Sequence, residues 1–165
     1  MDGKTLENLK QAFAGESQAN RRYLAFAHKA DDEGYAQAAK LFRAAADSET
    51  VHALKHLNAT GSIGETTTNL KTAIAGETYE FEQMYPPMID EAEAEGQTAA
   101  KISFRNANVV EKEHALLYQA MLDNMENPEF VDYYVCQVCG HVHINEAPDK
   151  CPVCGAAKKM FKKID

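Results

Sequence analysis

The chain repeats itself. Ala12-Phe13-Ala14-Gly15-Glu16-Ser17 returns 61 positions later as Ala73-Ile74-Ala75-Gly76-Glu77-Thr78. From there the offset is 62, pairing Tyr23 with Tyr85, Glu33-Gly34 with Glu95-Gly96, Phe42-Arg43 with Phe104-Arg105, Glu49 with Glu111 and His52 with His114. Two copies of one unit restrict the fold to arrangements in which equivalent residues are related by an approximate two-fold.

Within each copy, apolar residues recur at steps of three and four, the helical period. Gly34, Gly61-Ser62-Ile63-Gly64 and Glu95-Gly96 interrupt the pattern, so the spacing predicts helices near 4–32, 35–60, 67–95 and 98–126. Connections this short join antiparallel neighbours, and the expected fold is an all-α four-helix bundle with equivalent residues meeting at its centre. Pro86-Pro87 removes two backbone donors inside the third segment, which is expected to remain one bent helix.

The pattern ends at Asn127-Pro128, and the predicted domains are 1–127 and 128–165. All four cysteines lie in the second, as Cys136-Gln-Val-Cys139-Gly and Cys151-Pro-Val-Cys154-Gly. A tail this short cannot bury enough apolar surface to fold unaided, so it is read as a β-rich, metal-stapled module. Glycine allows each loop to reverse while its amides turn toward the sulfurs. Four thiolates suit zinc or a single iron, and spacing does not separate the two.

Reading the three-four stripe along each helix puts carboxylates where apolar side chains belong. The stripes run Leu6, Leu9, Phe13, Glu16, Asn20, Tyr23; then Ala38, Phe42, Ala45, Glu49, His52, His56; then Leu70, Ala73, Glu77, Glu80, Met84; then Phe104, Ala107, Glu111, His114, Tyr118, Met121. Uncompensated carboxylates in an apolar interior cost several kcal/mol each, so cations are expected among them. Residues three apart on a helix lie about 60° apart around its axis, so Glu49/His52, Glu77/Glu80 and Glu111/His114 can each aim two donors at one point. One Glu from each of two helices plus Glu-x-x-His from each of two others is the donor set of a di-iron or di-manganese carboxylate site. Glu80 is additional: its counterpart in the first copy is Ala19. Tyr23 and Tyr85 lie one or two turns from these donors, where a phenol can hydrogen-bond a carboxylate. His28, His56, His141 and His143 fall outside the repeated set and are read as surface or locally bonded residues.

A net charge of -8 counts against sequence-independent binding of nucleic acid or anionic lipid. No stretch is long and apolar enough to cross a bilayer, and MDGKTLENLK lacks a secretory layout, so the expected location is cytoplasmic.

Taken together, Gly15-Glu16-Ser17 with Asn20 and Tyr23, Glu49-x-x-His52, Gly76-Glu77-Thr78-x-Glu80, Tyr85-Pro86, Glu111-x-x-His114 and the two Cys-x-x-Cys-Gly loops resemble the rubrerythrins over nearly the whole chain. The resemblance implies a ferritin-like di-iron bundle joined to a rubredoxin-like domain. It implies di-iron ligands at Glu16, Glu49, Glu77, Glu80, Glu111 and His114, with Glu49 and Glu111 bridging and one iron moving between Glu80 and His52 as its oxidation state changes. Cys136, Cys139, Cys151 and Cys154 would hold a mononuclear iron, for which zinc can substitute. The implied activity is a peroxidase that reduces hydrogen peroxide to water in oxidative-stress defence. Its implied donor is rubredoxin or an NAD(P)H-dependent rubredoxin reductase, and its assembly a homodimer or larger homo-oligomer. Two readings stand beside it: a ferroxidase handling iron with dioxygen, and a zinc-ribbon adaptor.

Overall fold

Each half of the repeat folds as a helical hairpin. The computed structural model describes residues 2–165, in a first unit ending at Gly64 and a second spanning Glu65–Asp165. In the first, α1 (Lys4–Asp32) packs on α2 (Ala36–Thr60). In the second, α3 (Thr66–Tyr79), a π-helical turn (Glu80–Met84) and α4 (Tyr85–Ala94) run as one helical stretch against α5 (Thr98–Asp123). The four long helical segments expected from the periodicity are present.

The two hairpin turns are copies of each other. Gly34 (φ 82°) and Gly96 (φ 69°) take the left-handed conformation open to glycine without a steric penalty. Gly34 N–H donates to Asp31 O at 3.0 Å and Tyr35 N–H to Ala30 O at 2.8 Å; Gly96 N–H donates to Glu93 O at 3.1 Å and Gln97 N–H to Ala92 O at 2.8 Å. Both turns thereby close the last carbonyls of the helix before them.

Pro86-Pro87 acts one turn earlier than its position suggests. With no N–H at either residue, the carbonyls of Glu82 and Gln83 have no helical donor four residues on. The chain widens there, and Tyr85 N–H donates to Glu80 O, five residues back. A π-turn thus takes the place of a simple bend, and Glu80 is its first residue.

Small residues line the buried seams: Ala19, Ala27 and Ala30 against Ala39, Ala46 and Ala53 in the first hairpin, and Ala92, Val110 and Ala115 in the second. Alanine lets helix axes approach closely, and Asn20 Nδ2 ties α1 to α2 by donating to Ala46 O (2.7 Å) and Thr50 Oγ1 (2.9 Å). Some larger apolar side chains point away from these seams, with Leu41 68% and Leu116 63% exposed.

After α5 the chain forms β1 (Tyr133–Cys136), β2 (Val142–Ile144) and β3 (Phe161–Ile164), an antiparallel sheet in the order β2-β1-β3. Tyr134 faces His143 on one side and Lys163 on the other. The expected small β-rich, cysteine-bearing module is therefore present. Among the described residues no helix is long and apolar enough to cross a membrane.

Candidate metal centre

Three donor clusters form. In the first hairpin, ligand atoms of Glu16, Glu49 and His52 all lie within 4.8 Å of one another, and in the second those of Glu77, Glu111 and His114 do the same. The helical i,i+3 spacing makes the pairs: His52 Nδ1 is 2.9 Å from Glu49 Oε2, and His114 Nδ1 is 2.8 Å from Glu111 Oε2. The remaining glutamate of each cluster comes from the facing helix, α1 or α3. The triads are not equally covered, since the His52 side chain is 51% exposed and that of His114 is 23%.

The second triad is electrostatically strained. Burial, the Glu111 charge and a carboxyl–carboxyl hydrogen bond to Glu111 raise the Glu77 pKa, against a lowering by His114. Two carboxyls can share a hydrogen bond only if one carries a proton, so a cation has a place to take. His114 Nε2 is buried without a hydrogen-bond partner among the described residues. Carboxylate oxygens with imidazole nitrogens suit a first-row metal.

Glu80 stands beside this triad and outside its 4.8 Å group. Burial raises its pKa, as does the Glu77 charge, while His114 opposes them. Tyr85 sits in the same field: burial, then Glu111, Glu80 and Glu77, raise its phenol above the ordinary value of 10.0. Its ring packs 6.2 Å from Phe104, as the Tyr23 ring packs 6.3 Å from Phe42, so the repeat extends to the aromatic supports.

The cysteines form the third cluster. All four are free thiols, with Cys136 Sγ 3.7 Å from Cys154 Sγ and Cys139 Sγ 3.6 Å from Cys151 Sγ. Four sulfurs about 2.3 Å from a central ion at tetrahedral angles stand about 3.8 Å apart, so the spacing fits one metal. Burial raises the Cys136 thiol, but the amides of Val138 and Cys139 and the thiols of Cys139 and Cys154 outweigh it and hold the group below the ordinary value. For Cys139, burial dominates over the lowering by the His141 amide, and the thiol lies well above its ordinary value.

The chain matches the family model described as Rubrerythrin over residues 7–122, and that described as Rubrerythrin, rubredoxin-like domain over 134–162. The chain belongs to the rubrerythrin family. Members are generally oxidoreductases, di-iron proteins of oxidative-stress defence. Among the rubrerythrin relatives, nigerythrin of Nitratidesulfovibrio vulgaris is 38% identical, covering 96% of this chain and 86% of that one. The rubrerythrin of Porphyromonas gingivalis is 35% identical over 98% of this chain and 90% of its own. A solved structure of nigerythrin in a partially reduced state aligns with a TM-score of 0.60 at 35% identity, covering 99% of this chain and 88% of that one.

One residue escaped the sequence reading. His141 was expected at the surface or bonded locally; it is 5% exposed, and its Nδ1 lies 2.5 Å from Glu113 Oε2 on α5. No spacing signal could reveal this, because the partner is 28 positions away. His28 is exposed, as expected.

Proposed function

We propose that this rubrerythrin reduces hydrogen peroxide to water at a non-haem di-iron carboxylate site, with electrons relayed through an iron held by Cys136, Cys139, Cys151 and Cys154. The observation that supports the reading is the occurrence, in one chain, of two carboxylate–imidazole triads and a four-thiolate cluster. We assign Glu16, Glu49, His52, Glu77, Glu80, Glu111 and His114 as the residues that hold the irons. The working division of the chain is 1–127 for the di-iron domain and 128–165 for the rubredoxin-like domain.

When bound, a pair of irons supplies two electrons and Lewis acidity toward the O–O bond. The protein's own part is to hold and orient. Glu77 and Glu111 approach closely enough to share a hydrogen bond, so their oxygens are already gathered for a cation. His52 and His114 are each oriented by a glutamate one turn away. Glu80 begins the π-turn, where the wider hydrogen-bond step gives its carboxylate room to change partners; we assign Glu80 and His52 as the exchangeable ligands. Tyr85 keeps its phenolic proton at neutral pH and offers it to the carboxylates around it, and Tyr23 is assigned the same role in the other half.

Peroxide reduction takes two electrons and two protons per molecule and yields two waters. Cys136, Cys139, Cys151 and Cys154 would hold an iron that carries one electron at a time, a supply suited to reductive turnover and of little use in iron storage. We assign rubredoxin or an NAD(P)H-dependent rubredoxin reductase as donor, and a homodimer or larger homo-oligomer as the working assembly.

The test compares oxidants on the fully reduced, iron-loaded protein. Peroxide should oxidise it faster than dioxygen, one peroxide consumed per two electrons and no dioxygen released. Faster oxidation by dioxygen would replace this reading with ferroxidase chemistry.

A further inference from the structure

We propose that His141 and Glu113 latch the four-cysteine module onto α5 and thereby set the electron path out of it. The inference rests on the relay described above and names the residues that position it.

Position 141 has a main-chain task that is separable from its side chain. Gly140 (φ 86°) reverses the chain after Cys139, so that His141 N–H donates to Cys139 Sγ and its carbonyl accepts from Cys136 N–H at 2.9 Å. In the second loop the same tasks fall to Ala156, whose N–H donates to Cys154 Sγ and whose carbonyl accepts from Cys151 N–H at 2.7 Å. A methyl group suffices there. The imidazole at 141 is therefore not required to build the loop, yet it is nearly fully buried.

Its ring is held on three sides. Nδ1 meets Glu113 Oε2 at 2.5 Å, Nε2 lies 3.4 Å from His143 Nδ1, and Phe161 packs edge-on with centroids 6.3 Å apart. Glu113 lies between the ligand-bearing turns of α5, two residues after Glu111 and one before His114. The latch thus joins the loop carrying Cys139 to the helix carrying Glu111.

The result is a short route. A methyl placed on Gly140 would meet Val110 Cγ1 at 3.8 Å, and Val110 is 2% exposed. Cys139 is bonded to Gly140 and Val110 to Glu111, so the neighbours of the two ligand-bearing residues lie side by side. Gly140 and His114 also line a common cavity of about 460 Å³. One electron leaves the module per pass, two for each peroxide, with no bond made or broken in the latch.

The test uses full-length, iron-loaded protein carrying His141→Ala, Glu113→Ala or the conservative Glu113→Gln, which retains a hydrogen-bonding side chain. Reduced protein is mixed with one equivalent of peroxide, and the colour of the ferric tetrathiolate is followed as it appears. Both alanine variants should slow that phase by about tenfold or more, as expected when a reacting group loses its fixed position. Glu113→Gln should stay near wild type, and the tetrathiolate spectrum should be unchanged in all three. In zinc-substituted protein, ¹⁵N relaxation should show residues 133–164 tumbling more freely in the alanine variants. Unchanged electron-transfer rates in both alanine variants overturn the proposal, as does a loss of rate matched by an altered tetrathiolate spectrum. If wild type develops no colour, the relay itself fails and takes this role with it, while the relaxation measurement still reports whether the latch holds.

Discussion

His114 Nδ1 lies 2.8 Å from Glu111 Oε2, and the same pair recurs in the other half of the chain as His52 and Glu49 at 2.9 Å. Both contacts span one helical turn, so each pair is fixed by local geometry before any long-range packing. The glutamate from the facing helix then completes a donor triad in each hairpin.

If these triads hold the irons, Glu111→Ala and Glu49→Ala remove donors that the neighbouring residues cannot replace. Each variant should purify with the carboxylate-bound iron largely lost and the four-cysteine metal retained. Metal analysis on the intact protein checks this, and an undiminished pair in both variants would falsify the ligand assignment.

Cys136→Ser separates the two centres. The thiol it removes is one of four spaced for a single metal. A pre-reduced sample should still consume one round of peroxide at the wild-type rate, whereas steady-state reduction by an external donor should fall to background. Stopped-flow and steady-state assays on one preparation distinguish these outcomes.

Stability of the metal-free protein should carry a pH signature. Burial and neighbouring charge raise Glu77 and Glu80 above the ordinary 4.5, so the folded state holds their protons more tightly than the unfolded chain does. Their contribution is fully present below pH 4.5 and is lost as pH rises through the higher folded-state values. Denaturant titrations of metal-free protein should show this decline, and Glu77→Gln with Glu80→Gln should flatten it. A contribution from these two residues that grows with pH would contradict the assignment.

Gly96→Ala should destabilise the second hairpin by about 1 kcal/mol, because an L-residue is strained at positive φ. Nothing lies within 4 Å of the added Cβ, so the cost is conformational and not steric. Gly34→Ala should behave alike at the equivalent turn. Denaturation midpoints with unchanged slopes would confirm a pure stability effect; a midpoint equal to wild type would refute the strain argument.

Sequence alone was enough to read the two hairpins, the Glu-x-x-His pairs, the family and the tetrathiolate loops, because each depends on spacing within a few residues or on a repeat that copies such spacing. It also drew attention to Pro86-Pro87 and Glu80, but it expected a simple bend. The π-turn arises because the missing donors act on carbonyls one turn upstream, and only backbone coordinates reveal how the chain absorbs that loss.

What the tertiary structure decided is which distant groups meet. Tyr85 and Glu80 share the field of the Glu77–Glu111–His114 triad, and Glu80 stands beside its donor group and not within it. His141, unremarkable in the sequence, is buried against Glu113, a pairing that helical or strand periodicity does not encode. Periodicity reports which face of an element a residue occupies; contact across 28 positions depends on how the sheet and α5 pack, and packing is a property of the folded whole.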